Sequence, residues 1–332
     1  SVLYLNNITG DAFSGKLGGS VSYGLADGKI GANMTGTGMD AESAIVGAAG
    51  IKNALSGKLG WSANVNLKGA TYQEQMRSLA GKVSFNIDDG TFGNIGRFEN
   101  YLFAQNLINN VIIKTALAGV TALPAIKNTA DFKYITGDMT FSGGWANLNP
   151  IKAAGPATAY YITGRYNLLN ASANLTILGR LSAQTVALLG PLGDLSVDKL
   201  TSYIPKFGPL TGAVINVMTE SKAGVDTSVI PQLSGGAQYK DFKVAFNGGV
   251  DSKSSVKSFK WLSNLDPADV QQMNLKEQLQ GAKDAVQQLK DTNIQNVKQQ
   301  AQNVKQNVQD VKQQFNDTKQ QIQDLKNLFK TQ

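Results

Sequence analysis

Two stretches between Thr37 and Phe98 alternate strictly between apolar and polar residues, and this alternation constrains the fold more than any other feature of the sequence. The apolar positions are Trp61, Ala63, Val65 and Leu67 in the first stretch, and Val83, Phe85 and Ile87 in the second. A helix-like segment and a glycine precede each stretch. Because successive side chains of a strand point to opposite faces, this period of two predicts half-buried antiparallel strands with one apolar face.

Later segments repeat the pattern more loosely, with Ile162, Leu175 and Ile177 at apolar strand positions. The chain is 42% hydrophobic, which suffices for a large core, and its 35 Gly against 8 Pro fit many short strands joined by tight turns. We therefore predict a mainly β domain over residues 1–265, built from an antiparallel sheet with short covering helices. The alternation alone does not distinguish two architectures: a closed sandwich or barrel core, and a curved sheet whose apolar face stays open as a groove.

Local signals place turns and a helix start within this domain. Asp27-Gly28 and Asp89-Gly90 are dipeptides typical of tight turns. Asp40 stands where the N-cap of a helix is expected, ahead of a loosely helical pattern.

The residue types that are missing exclude many kinds of chemistry. The chain contains neither His nor Cys, which removes the commonest zinc ligands, the usual general base and most nucleophilic triads. Its net charge of +7 is spread along the chain, without the dense basic patch that nucleic-acid binding requires. We predict no catalytic residues, no metal site and no cofactor, and a protein that is not an enzyme and does not bind nucleic acid.

One glycine-rich segment, from Gly10 to Lys16, has the spacing of a phosphate-binding loop. Leu17 follows it, where such loops carry the Ser or Thr that holds magnesium. The tetrapeptide Ser14–Leu17 also recurs as Ser56–Leu59, at the predicted start of a strand. We therefore interpret this segment as structural.

The composition changes at residue 266 to Gln, Lys, Asn, Asp and Val, and the apolar positions fall into a heptad pattern. Residues 266–332 are predicted to form a long amphipathic helix, whose narrow apolar seam consists of Val297, Ala301, Val304, Val308, Val311, Phe315, Ile322 and Leu325. A helical protein partner, self-association through a coiled coil, or packing within the chain would each use this seam. A solvated and partly disordered tail is the alternative.

The order of short motifs along residues 1 to about 210 resembles the C-terminal region of AsmA-like proteins. The motifs are Gly38-Met39-Asp40, Leu55-Ser56-Gly57, Leu79-Ala80-Gly81, Asp89-Gly90, Gly137-Asp138-Met139, Ala154-Gly155-Pro156, Leu178-Gly179-Arg180-Leu181 and Leu189-Gly190-Pro191-Leu192-Gly193. The resemblance implies a curved, taco-like β structure in the bacterial periplasm or cell envelope, anchored to the inner membrane in the full-length protein. Such proteins are similar to bridge-like lipid transfer proteins and support outer-membrane integrity.

These observations lead to two hypotheses on function. In the first, the chain binds or transfers phospholipids without enzymatic activity, and acyl chains lie in an apolar groove lined by Val65, Leu67, Val83, Phe85, Ile87, Ile162, Leu175 and Ile177. In the second, it is a structural or assembly protein of the envelope, in which the sheet is an ordinary core and the C-terminal coiled coil recruits a partner.

Overall fold

The computed structural model describes residues 1–49, 52–53, 55–92, 131–188, 219–249 and 255–263. The described chain is mainly β, as predicted. Its strands are β1 (Val2–Ala12), β2 (Gly15–Gly24), β3 (Ile30–Asp40), β4 (Lys58–Leu67), β5 (Ala80–Thr91), β6 (Asp131–Ser142), β7 (Trp145–Ala154), β8 (Thr158–Asn167), β9 (Ser172–Ser182), β10 (Thr219–Ser221), β11 (Tyr239–Gly249) and β12 (Val256–Ser263). Its helices are α1 (Ala41–Ala49), α2 (Tyr72–Ser78) and α3 (Ala183–Leu188), with a 3₁₀ turn at Thr227–Val229.

All twelve strands belong to one sheet, in the order β1-β2-β3-β4-β5-β6-β7-β8-β9-β11-β12-β10. Neighbouring strands are antiparallel, except that β10 runs parallel to β12. The sheet is neither closed nor strongly curled, so a closed barrel does not describe it. The predicted antiparallel sheet with short helices is confirmed. The domain boundary at residue 266, the long C-terminal helix and its seam all lie outside the described residues and stay predictions.

The glycine-rich segment that resembles a phosphate-binding loop forms the hairpin between β1 and β2. Ala12 pairs with Gly15, and the two residues between them, Phe13 and Ser14, have φ angles of 50° and 63°. Two consecutive left-handed residues make the turn that suits the twist of a two-residue hairpin. The segment therefore forms a hairpin turn, in agreement with its structural interpretation.

The turn predicted at Asp89-Gly90 is wrong. Strand β5 continues through both residues to Thr91, and Gly90 pairs with Phe132 of β6. Asp89 adopts a φ of 48°, which an aspartate tolerates better than most residues. The ladder of hydrogen bonds to β6 thus outweighs the local preference of the dipeptide for a turn.

The strand register gives the sheet one apolar face. One row of directly paired residues crosses nine strands on this face: Met39, Leu59, Ile87, Ile135, Ala153, Tyr160, Gly179, Phe242 and Trp261. The next row on the same face is Leu17, Gly36, Trp61, Phe85, Gly137, Ile151, Ile162, Ile177, Val244 and Phe259. Asn, Ser, Thr, Lys and Asp dominate the opposite face from β2 to β6, which we call the polar face.

At the β7–β11 end of the sheet, the face opposite the apolar one is covered by the segment that connects β10 to β11. Ile230 and Leu233 of this segment are buried against Ala154 and Ala159. Arg180 of β9 forms a buried ion pair with Asp241 of β11, with 2.8 Å between Nε and Oδ1. The guanidinium also donates hydrogen bonds to the backbone carbonyls of Thr227, Ile230 and Pro231, so it ties the covering segment to the sheet.

Helix α1 begins directly after β3, and Asp40 caps it as predicted. The backbone N–H of Ser43 donates to Oδ1 of Asp40 at 2.8 Å. Hydrogen bonds from the Ser43 side chain and backbone hold the pKa of the Asp40 carboxyl below its ordinary value. The carboxylate form therefore stabilises the start of α1.

We expect Asp40→Ala to lower the free energy of unfolding by about 1 kcal/mol at pH 7, because the variant leaves a helix N–H without its acceptor. A carboxyl whose pKa is lower in the folded state stabilises the fold above its unfolded pKa, near 4, and loses that contribution as pH falls through the folded value. The gap between wild type and variant should therefore narrow between pH 5 and about pH 3. Urea unfolding across this range measures it, and a gap independent of pH would contradict the carboxylate as the cap.

Candidate functional site

All eight residues predicted to line an apolar groove lie on the apolar face. Six of them are half-buried there, and we call them the central apolar patch: Val65 and Leu67 of β4, Val83 and Phe85 of β5, Ile162 of β8 and Leu175 of β9. The register joins them through directly paired residues such as Met139 and Leu148 between β5 and β8. The structure therefore places these six side chains on one continuous surface that is partly open.

The other two predicted residues, Ile87 and Ile177, are part of the buried core. They are 5% and 3% exposed. Ile87 belongs to the first row of the apolar face, in which it lies beside Ile135, 6% exposed, and Ala153, 4% exposed. Neither side chain offers surface to a ligand without movement of its neighbours.

The aromatic residues of the half-buried region lie flat across glycines of the adjacent strand. A Cβ at Gly137 would lie only 2.8 Å from Cζ of Phe85 and 2.9 Å from Cγ1 of Ile151. A Cβ at Gly36 would lie 2.2 Å from Nε1 of Trp61. Because these glycines have no side chain, the rings of Phe85 and Trp61 can pack directly against the backbone of the adjacent strand.

A small apolar pocket lies between α1 and the sheet, beside the central apolar patch. Its volume is about 330 Å³, at the lower end of the range for small-molecule sites. Its lining consists of Ala12, Phe13, Leu17, Met39, Ala44, Ile45, Leu59 and Trp61. Trp61 pairs directly with Phe85 of the patch, so pocket and patch form one apolar surface.

None of the pocket residues was predicted as a site residue from the sequence. Leu59 and Trp61 continue the alternation that identified Val65 and Leu67, so this signal was available. Leu17 and Met39 come from two other strands, and only the folded sheet brings them next to Trp61. The indole N–H of Trp61 points at Sδ of Met39, at 3.3 Å, and fixes the ring at the wall of the pocket.

The polar face carries charged and hydroxyl groups directly behind this apolar surface. Ser84 donates a hydrogen bond to Asp138, and Lys82 lies 3.2 Å from the same carboxylate. These contacts, led by the Ser84 hydrogen bond, hold the pKa of Asp138 below its ordinary value. Both charged side chains are substantially exposed, so the ion pair contributes little to stability. The sheet therefore separates a wet face from an apolar one.

Within the described ranges, no three His, Cys, Asp or Glu side chains lie close enough together to hold a metal ion. In the same part of the chain, no helix combines the length and apolarity needed to cross a membrane.

Comparison with known proteins finds no matching family model, no matching curated protein and no matching solved structure. The class of the protein is therefore defined by its own fold and surface. The described residues form one open, largely antiparallel sheet with one apolar face and an opposite face that is polar from β2 to β6.

Proposed function

We propose that this chain binds phospholipid acyl chains on its apolar face and takes part, without enzymatic activity, in lipid transfer or lipid homeostasis in the bacterial cell envelope. The observation that carries the proposal is the central apolar patch, which is only half-buried although it lies on the face that forms the core elsewhere. The resemblance to AsmA-like proteins supports the same function, the periplasmic location, an inner-membrane anchor in the full-length protein and a role in outer-membrane integrity.

The curved, groove-forming shape implied by the resemblance is part of this proposal. On the described sheet, which is not strongly curled, α1 supplies a wall of the pocket and the sheet supplies its floor. An acyl chain would start in the pocket beside Trp61 and continue over Phe85 and Val83. The headgroup would remain in water, because the apolar surface offers it no hydrogen-bond partner.

The energy of such binding comes from removing methylene groups from water. Each buried methylene contributes about 0.8 kcal/mol, so ten of them would contribute roughly 8 kcal/mol before the costs of association. The patch needs no polar contact to hold the chain, and recognition would therefore depend on apolar area more than on headgroup chemistry. Binding through apolar area alone also fits a protein that accepts and releases lipids.

In the competing function, the chain is a structural or assembly protein whose C-terminal coiled coil recruits a partner, and the sheet is an ordinary core. The β9–β12 end of the apolar face favours this view locally, because Val244, Phe259 and Trp261 are at most 4% exposed. The central apolar patch does not share that burial. The two functions therefore differ in whether lipid occupies the patch.

We expect the double variant Val65→Asp/Leu67→Asp to retain at most a tenth of the phospholipid bound by the wild type. Two carboxylates in the patch would have to lose water for an acyl chain to bind, which is costly for an unpaired charge. The measurement is native mass spectrometry of delipidated protein after incubation with vesicles of phosphatidylethanolamine and phosphatidylglycerol.

The matched control is Asn64→Asp/Asn66→Asp, which adds the same two charges at alternate positions of the same strand, on the polar face. It should bind lipid as the wild type does. Urea unfolding of both variants separates lost binding from lost folding. Equal lipid binding by two folded double variants, or a lipid-free wild type that forms helical oligomers, would favour the assembly function.

A further inference from the structure

The elements around the apolar pocket are joined to one another by backbone hydrogen bonds at the start of α1. The N–H of Asp40 donates to the carbonyl of Phe13 at 2.6 Å, and the N–H of Ala41 donates to the carbonyl of Gly57 at 3.0 Å. Met39, which lines the pocket, is only 1% exposed. Backbone contacts therefore fix the β1–β2 hairpin, α1 and the start of β4 as the walls of the pocket.

The lining of the pocket offers no partner to a polar group. All eight lining residues are apolar, apart from the indole N–H of Trp61, which already points at Sδ of Met39 at 3.3 Å. A lipid headgroup placed here would lose its water without gaining hydrogen bonds, which is costly. The pocket therefore fits the hydrocarbon part of a lipid and excludes the headgroup.

The size of the pocket suits one hydrocarbon chain. Its volume is about 330 Å³. An apolar cavity of about 150 Å³ holds a benzene molecule, so a pocket of this size has room for roughly twelve carbon atoms. Trp61 of the pocket pairs directly with Phe85, and Val83 lies on the same face of β5. A chain that leaves the pocket beside Trp61 therefore passes onto the central apolar patch.

We propose that this pocket is a subsite for the methyl end of a single acyl chain. The proposal rests on the proposed function and adds the orientation of the bound lipid: the methyl end lies under α1, and the carboxyl or ester end lies beyond the central apolar patch, in water. Because one chain fills the pocket, a free fatty acid makes the same contacts there as one chain of a phospholipid. The second chain of a phospholipid lies on the patch.

Fluorescence quenching by brominated lipids tests this orientation. The probes are palmitic acid with bromine near its methyl end or near its carboxyl group, and phosphatidylglycerol that carries the same labelled chains. We expect the methyl-end label of both lipids to quench Trp61 at least threefold more than the carboxyl-end label. Trp61→Phe keeps an apolar ring in the wall and should abolish the difference, because the other two tryptophans, Trp145 and Trp261, do not line the pocket.

The outcomes separate the subsite from the proposed function. Equal quenching by the two labels of a bound lipid, or stronger quenching by the carboxyl-end label, would overturn the subsite alone. A positional difference with palmitic acid and no binding of phosphatidylglycerol would keep the subsite and contradict phospholipid as the ligand. A wild type that binds neither lipid would overturn both.

Filling the pocket from α1 gives a second test. Ala44 lines the pocket, and we expect Ala44→Phe to weaken the binding of palmitic acid at least tenfold in titration calorimetry, because the added ring occupies the space of the methyl end. Val46→Phe adds the same ring to α1 at a residue that does not line the pocket, and it should bind as the wild type does. Urea unfolding checks that both variants fold, and Ala44→Leu replaces a misfolded Ala44→Phe. Binding of wild-type strength by a folded filled variant would contradict the proposal.

Discussion

Replacing Arg180 by methionine is expected to lower the free energy of unfolding by about 3–5 kcal/mol. The side chains of Arg180 and Asp241 are only 3% and 2% exposed, so the substitution would leave the Asp241 carboxylate buried without its main partner. It would also remove the donors that hold the carbonyls of Thr227, Ile230 and Pro231. The covering segment between β10 and β11 should loosen together with the sheet. Urea unfolding measures the loss.

Two further variants distinguish the contribution of the buried ion pair to stability from the effect of simply removing a charge. Lys222 lies 3.7 Å from Asp241 but is 38% exposed, and Lys222→Met should change stability by less than about 1 kcal/mol. The double variant Arg180→Met/Asp241→Leu removes both buried charges and should be more stable than Arg180→Met alone. A double variant as unstable as the sum of its single variants would show that the pair does not act as a unit.

Phe242→Ala is expected to cost about 3–5 kcal/mol of folding free energy, the usual range for deleting a buried phenyl ring. Phe242 is 1% exposed and packs among three other aromatic side chains on the apolar face. Its ring centroid is 5.4 Å from that of Phe259 and 6.2 Å from those of Tyr160 and Trp261. The ring also covers Gly179, so its loss opens a cavity that no neighbour can fill without moving a strand.

The exposed Tyr72 provides the comparison for this core substitution. Tyr72→Ala removes an aromatic ring that is 65% exposed and should shift the unfolding midpoint very little. A loss below 1 kcal/mol in Phe242→Ala would show that the β9–β12 end of the apolar face is loosely packed. That end would then have to be counted with the central apolar patch as available surface.

The sequence was sufficient to predict the sheet and the composition of its apolar face. The alternation of Val65, Leu67, Val83 and Phe85 with polar residues fixes which side chains share a face, because the side-chain period of a strand is two. It could not show that Ile87 is buried while Phe85 is half-open. The burial of each side chain depends on how the neighbouring strands and segments pack around it. The apolar-polar alternation is the same at Ile87 and at Phe85.

Contacts between distant parts of the chain were the main features that the sequence did not reveal. Arg180 and Asp241 are 61 residues apart and carry no local sign of pairing, since isolated charged residues are usually exposed. The apolar pocket likewise depends on the packing of α1 against residues from four strands. The turn predicted at Asp89-Gly90 failed for the same reason, because pairing with β6 decides where β5 ends.

The strand order of the sheet would allow the width of the apolar face to change by whole hairpins. Strands β1 to β9 follow one another in space as they do in sequence, so each of them contacts mainly the strands next to it in the chain. Eleven strand spacings make the apolar face roughly 50 Å wide, and one additional hairpin would add about 10 Å without rerouting any connection. Duplication or loss of a hairpin could therefore adjust the span of this protein in small, regular steps.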